Sequence, residues 1–101
     1  MGASPVPLSI EQIRKELPTT WEVIRADDVP KIVRVYKLSQ YIDGIKVVAA
    51  LANIANDMDH HPEILLSYSS VRVELYTHYL MGLSSFDLHF AISAENLLNN
   101  L

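Results

Sequence analysis

The stretch Asp57-Met58-Asp59-His60-His61-Pro62-Glu63 sets two imidazoles and three carboxylates within seven residues. Histidine titrates near neutrality, so a pair of imidazoles can supply a proton donor and a proton acceptor at one centre. Pro62 fixes its own φ and pushes His61 toward extended backbone, so a helix entering this stretch should stop here. At such a break the rule that adjacent side chains point apart relaxes, and both imidazoles can line one cavity. A third imidazole, His78, ends a strand pattern that can run back past this loop. The alternative is a polar loop that carries two histidines and no chemistry. Zinc is a weaker reading, because the HxH or HxxxH spacing that sets two ligands on one element is absent. Covalent catalysis lacks a nucleophile, since there is no cysteine and no serine in a recognisable elbow. General acid–base chemistry needs only positioned histidines and suits the pattern best.

These residues need a scaffold, and 101 residues supply one domain with one core. Half of the chain is hydrophobic, more than a disordered segment would carry. The net charge of −4 and the scattered Lys and Arg argue against a nucleic-acid surface. The longest apolar run, Val47 to Ala52, is too short to span a bilayer, and the N-terminus has no charged region followed by an apolar core. The expectation is a cytoplasmic chain with no membrane contact.

Residues 1–7, with Gly2, Pro5 and Pro7, read as a flexible start, and 8–101 as a single domain. Ser9 with Gln12 three residues on gives a capping box, Leu8 and Ile13 a hydrophobic staple, and Pro18 a stop. Trp21 to Arg25 alternates as a strand, Ala26 to Pro30 reads as a turn, and Lys31 to Leu38 as a second strand. Ser39 is the expected cap of a helix over residues 40–57. Its polar residues fall in one narrow stripe, so a single sheet face cannot cover the rest, and a second subunit is the expected further cover. Ile64 to Tyr68 is a short strand, Ser69-Ser70 a turn or bulge, and Val71 to Leu75 a half-buried strand that puts His78 on the polar face with Tyr76. A last helix begins after Ser84, with Leu88, Ala91, Ile92, Ala94, Leu98 and Leu101 on its apolar side. The order α-β-β-α-β-β-α predicts an α+β domain: a four-stranded antiparallel sheet with three helices on one face and an open opposite face.

Asp87 has a structural explanation, since a carboxylate three residues after Ser84 caps the helix, although it can also orient a histidine. His89 falls on another side of that helix and reads as solvated or interfacial. Trp21 reads as core or pocket wall. Tyr68, Tyr76 and Tyr79 can stack on a flat ligand or simply pack on the sheet.

Asp59-His60-His61-Pro62-Glu63, Tyr68, Thr77-His78, Gly82-Leu83-Ser84 and Asp87 together closely resemble the pterin-4a-carbinolamine dehydratase family. Trp21 and the run from Val35 to Asp43 look like its earlier segments. The resemblance spans about residues 8 to 100, and its weight lies in several fixed spacings at once. It implies an α+β homodimer or homotetramer that dehydrates a small-molecule substrate, a 4a-hydroxytetrahydropterin, with no metal and no cofactor. It implies His60, His61 and His78 as the active-site histidines, Asp87 as the support of His78, and Thr77 as a main-chain contact to the pterin. His61, fixed by Pro62, is our choice for the acid. Asp59 and Asn56 complete the expected binding and orienting groups, with Asn56 one turn before His60 and pointing toward the imidazoles. There are two departures. The family usually has an ionisable residue where Asn56 stands, and a large aromatic where Ile64 stands. Relatives also serve as dimerisation partners of a homeodomain transcription factor, or belong to other pterin pathways such as molybdopterin metabolism. A non-catalytic binding role is therefore the rival reading.

Overall fold

The computed structural model describes residues 4–98. Leu101, counted above with the last helix, lies outside them. Helix α1 (Ile10–Glu16) starts as its sequence predicts. Ser9 Oγ accepts from Gln12 N–H at 3.1 Å, and Gln12 Oε1 accepts from Ser9 N–H at 2.7 Å. Pairing with the rest of the chain begins ahead of it: Leu8 N–H donates to Leu83 O at 3.0 Å, and Ser85 N–H to Val6 O at 2.9 Å.

Strands β1 (Glu22–Ala26) and β2 (Val29–Lys37) form the first hairpin. Its turn is two residues, not the five expected. Asp27 and Asp28 both take positive φ, 54° and 65°, as a primed two-residue turn requires and as aspartate tolerates better than most residues. Pro30 therefore lies within β2, opposite Arg25 and ahead of the first residue paired with β4 (Ser70–Leu75), so its missing N–H breaks no bond to that strand.

Helix α2 (Asp43–Met58) starts later than predicted. Leu38 N–H is still tied to Ser69 O at 2.9 Å, so Ser39 stays at the end of the sheet and makes no cap. Strand β3 (Glu63–Ser67) joins β4 through the two-residue turn Tyr68-Ser69. Helix α3 (Ser85–Leu98) completes the expected order.

The sheet order is β1-β2-β4-β3, antiparallel throughout. The register puts Ile32, Arg34 and Tyr36 on one face with Val71, Val73 and Leu75. There they join Val47, Leu51 and Ala55 of α2 and Phe90, Ala91 and Ala94 of α3 in one core. The opposite face carries Ile24, Lys31, Val33, Val35, Leu65, Arg72 and Glu74 with no element over it among the described residues. There Glu74 pairs with both Lys31 and Arg72. Burial pushes the Glu74 carboxyl up, but those two hydrogen bonds and charges outweigh it and hold the group below the usual carboxylate range. The wide apolar arc of α2 is only partly covered, with Ile42 at its N-cap 63% exposed and Ile45 in its first turn 51% exposed. Among the described residues no helix is long and apolar enough to cross a membrane.

Tyr36 is buried, and its hydroxyl has no hydrogen-bond partner among the described residues. Burial pushes that hydroxyl up to about 12, with Arg34 opposing and Glu95 reinforcing. A folded value above the unfolded one means that the stabilisation is complete below about pH 10 and is lost as pH rises toward about 12. A shift of this size is worth about 2 kcal/mol once partial access of solvent to the group is allowed for. Tyr36→Phe is expected to leave stability at neutral pH within about 1 kcal/mol of the parent. It should also remove the Tyr36 share of the alkaline loss, leaving the part carried by Lys31, whose pKa is raised by its bond to Glu74. Denaturant titrations of both proteins at neutral pH and above about pH 11 check this.

Candidate active site

Helix α2 does not run on to Pro62. It ends at Met58, because Asp59 adopts φ 53°, ψ 43°. Asp59 N–H reaches Asn56 O and His60 N–H reaches Ala55 O, at 3.4 and 3.1 Å. These are the two bonds of a Schellman cap, with aspartate where glycine is usual. A non-glycine residue held in this region stores of order 1 kcal/mol of strain. The cap reverses the chain so that His60 is buried and His61 exposed, and Pro62 then leads into β3.

The buried imidazole meets the start of α3. Phe86 N–H donates to Ser84 Oγ at 3.1 Å, and Ser84 N–H donates to Asp87 Oδ2 at 2.9 Å, which caps the helix as its sequence predicts. The other carboxylate oxygen, Oδ1, accepts from His60 Nε2–H at 2.7 Å. Thr77 Oγ1–H also donates to Asp87 Oδ2, at 2.9 Å. That commits the single hydroxyl proton of Thr77, so Ser84 Oγ–H donates to Thr77 Oγ1 at 2.6 Å. Asp87 and Ser84 have no solvent exposure at all. Asp87 therefore caps α3 with one oxygen and orients His60 with the other.

One implied contact is corrected. Asp87 supports His60, not His78. Strand alternation carries Tyr76 to the open face with Glu74, and the 3-10 turn His78–Leu80 follows from there, whereas α3 and the Asp87 carboxylate lie on the covered side. The His78 ring instead stacks on Tyr76, with centroids 4.5 Å apart and planes at 28°. The main chain of Thr77 is also occupied. Its N–H donates to Gly82 O at 2.8 Å, and its carbonyl accepts from Leu80 N–H at 3.1 Å. Its hydroxyl is the group bonded to Asp87.

Asp59, His60, His61, Thr77 and His78 line one cavity of about 340 Å³. Tyr76, Tyr79 and Phe86 give it aromatic walls. Phe86 was not foreseen; it sits edge-on to His60, with centroids 5.8 Å apart, and its only signal was its place beside Asp87. Asn56 is exposed and is not part of the cavity wall; it contributes the carbonyl that closes the α2 cap. His89 is exposed on α3 outside the cavity, and Trp21 is a core residue edge-on to Phe90. Among the described residues no three His, Cys, Asp or Glu are grouped to hold a metal ion.

Removing a buried carboxylate on which three donors converge leaves all of them unpaired. Asp87→Ala is expected to cost about 3 kcal/mol, and Thr77→Val about 1 kcal/mol. Urea unfolding of both variants at pH 7 measures the two losses.

A family model described as pterin 4 alpha carbinolamine dehydratase matches residues 6–97. A protein of Haloarcula marismortui, provisionally named pterin-4-alpha-carbinolamine dehydratase, is 37% identical over 84 residues, 83% of this chain and 87% of that protein. The crystal structure of a transcriptional coactivator/pterin dehydratase from Brucella melitensis matches with a TM-score of 0.77 at 26% identity, covering 90% of this chain and 97% of that one. A pterin dehydratase-like protein identified as a RuBisCO assembly factor in the alpha-carboxysome shares the fold, with a TM-score of 0.63 at 19% identity over 77% of this chain and 88% of that one. With its sheet order, its histidine cavity and a match running nearly from end to end, this chain belongs to the pterin-4a-carbinolamine dehydratase family.

Proposed function

We propose that the chain dehydrates a 4a-hydroxytetrahydropterin to the quinonoid dihydropterin by general acid–base catalysis. The observation that supports this most is three imidazoles on one cavity, one of them locked to a buried carboxylate. The reaction breaks the C4a–O bond and the N5–H bond, forms the C4a=N5 double bond and releases water. It needs one proton delivered to the leaving hydroxyl and one taken from N5. With Nε2–H donated to Asp87, a neutral His60 keeps Nδ1 as its acceptor, which suits the base. His61 is assigned as the acid and His78 as the further imidazole that holds the departing oxygen. Asp59 supplies an acceptor at the cavity lip for the N–H edge of the pterin, and the rings of Tyr79 and Phe86 suit its flat ring.

The same reading takes the protein to be a cytoplasmic homodimer or homotetramer, with the uncovered Ile42 and Ile45 of α2 as part of the interface. That exposed face also favours the rival reading, a binding role without chemistry; the carboxysome protein that shares the fold is described as an assembly factor.

Turnover separates the two readings. Chelator-treated protein is expected to accelerate dehydration of freshly made carbinolamine, followed by absorbance of the product. His61→Ala and His78→Ala should each slow it by about 10²-fold or more, and His89→Ala should change little. No acceleration over buffer leaves the binding role in place of the catalytic one.

A further inference from the structure

Among the described residues no hydrogen bond holds the ring of His78. His60 is tied to Asp87, and Pro62 restricts the backbone of His61. His78 is exposed, and an exposed imidazole ordinarily samples several rotamers. Here one face of the ring is covered. Tyr76 stacks on it at 4.5 Å and 28°. Tyr76 is itself held. Lys31 Nζ lies 5.2 Å from the centre of its ring, and the same ammonium is bonded to Glu74 Oε1 at 3.1 Å. The Lys31 and Glu74 side chains are only 18% and 14% exposed, so this anchor is firm for a surface pair. A fixed carboxylate holds the ammonium, the ammonium holds the phenol ring, and the ring holds the imidazole.

We infer that Tyr76 is a positioning residue for His78, with Lys31 and Glu74 as its anchor. The kinetic part of this inference rests on the dehydratase reading and deepens it, because it explains how an exposed imidazole keeps one direction at the cavity wall. The face of the Tyr76 ring does the work, and its hydroxyl is not needed. A direct substrate contact by Tyr76 would instead strengthen ground-state binding and act on KM.

The test uses full-length protein with Tyr76→Phe, Tyr76→Leu and Lys31→Met. By NMR, the His78 ring protons, assigned by their loss in His78→Ala, should be shifted upfield by the Tyr76 ring in wild type and in Tyr76→Phe, and should lose that shift in Tyr76→Leu. Tyr76→Leu should lower kcat about tenfold with KM within about twofold, Tyr76→Phe should restore kcat to within about twofold, and Lys31→Met should fall between. His78 signals indifferent to Tyr76→Leu would overturn the inference. So would a rise in KM at constant kcat, which makes Tyr76 a binding residue, or a Tyr76→Leu enzyme as fast as an active wild type. If wild type shows no turnover, the dehydratase reading falls by itself. The upfield shift then still supports the held ring, and its absence still overturns it.

Discussion

A carboxylate with no access to water must be surrounded by donors, and Asp87 is met by three: His60, Thr77 and the main chain of Ser84. Three parts of the chain meet at that one group. The end of α2 brings His60, the end of β4 brings Thr77, and the start of α3 brings Ser84 and the carboxylate itself. Val6 and Leu8 brace the same segment from outside through Leu83 and Ser85. The placement of α3 and the orientation of the buried imidazole are thus one arrangement. A shift in the helix moves Oδ1, and the imidazole must follow or lose its partner in a buried place. The capping of α3 and the orientation of His60 cannot be separated in this molecule.

Much of this was legible in the residues. Ser9 with Gln12, and Ser84 with Asp87, are local patterns whose bonds form within one helical turn, so the spacing alone carries them. The alternation from Val71 to Leu75 gave the strand and the side of the sheet on which Tyr76 falls. The convergence of three histidines was readable because the strands must return past the loop. Less local features were not. The positive φ of Asp27, Asp28 and Asp59 is set by the hairpin and the helix end that they join, and aspartate announces it only weakly where glycine would announce it plainly. Asn56 follows the helical period to an exposed position, and the Schellman cap breaks the register between it and His60. The resemblance implies Asp87 beside His78, and spacing along the chain cannot correct it, because spacing does not say which side of the sheet the next turn takes.

The same fold serves a carboxysome assembly factor at 19% identity, so architecture alone does not decide what a member does. In this chain the two ends of that question lie on different surfaces. The histidine cavity is built at the C-terminal ends of α2 and β4, and the exposed apolar residues of α2 begin at its N-terminal end. A partner on the second surface need not cover the first.

The cavity is lined by residues from one unbroken stretch, Asp59 to Phe86, whereas the sheet is joined into one piece only by the pairing of β2 with β4. The two hairpins are local and such units form in about 1–10 μs. The β2–β4 pairing closes a loop that contains the whole of α2, and non-local closure of this kind is what limits folding rates. It also gives α2 the sheet on which Val47, Leu51 and Ala55 pack. A growing chain that has just released Phe86 therefore contains every residue of the cavity but has no α3 to bring the Asp87 carboxylate to His60. The site is contiguous in sequence, yet its geometry depends on elements that meet only through non-local contacts.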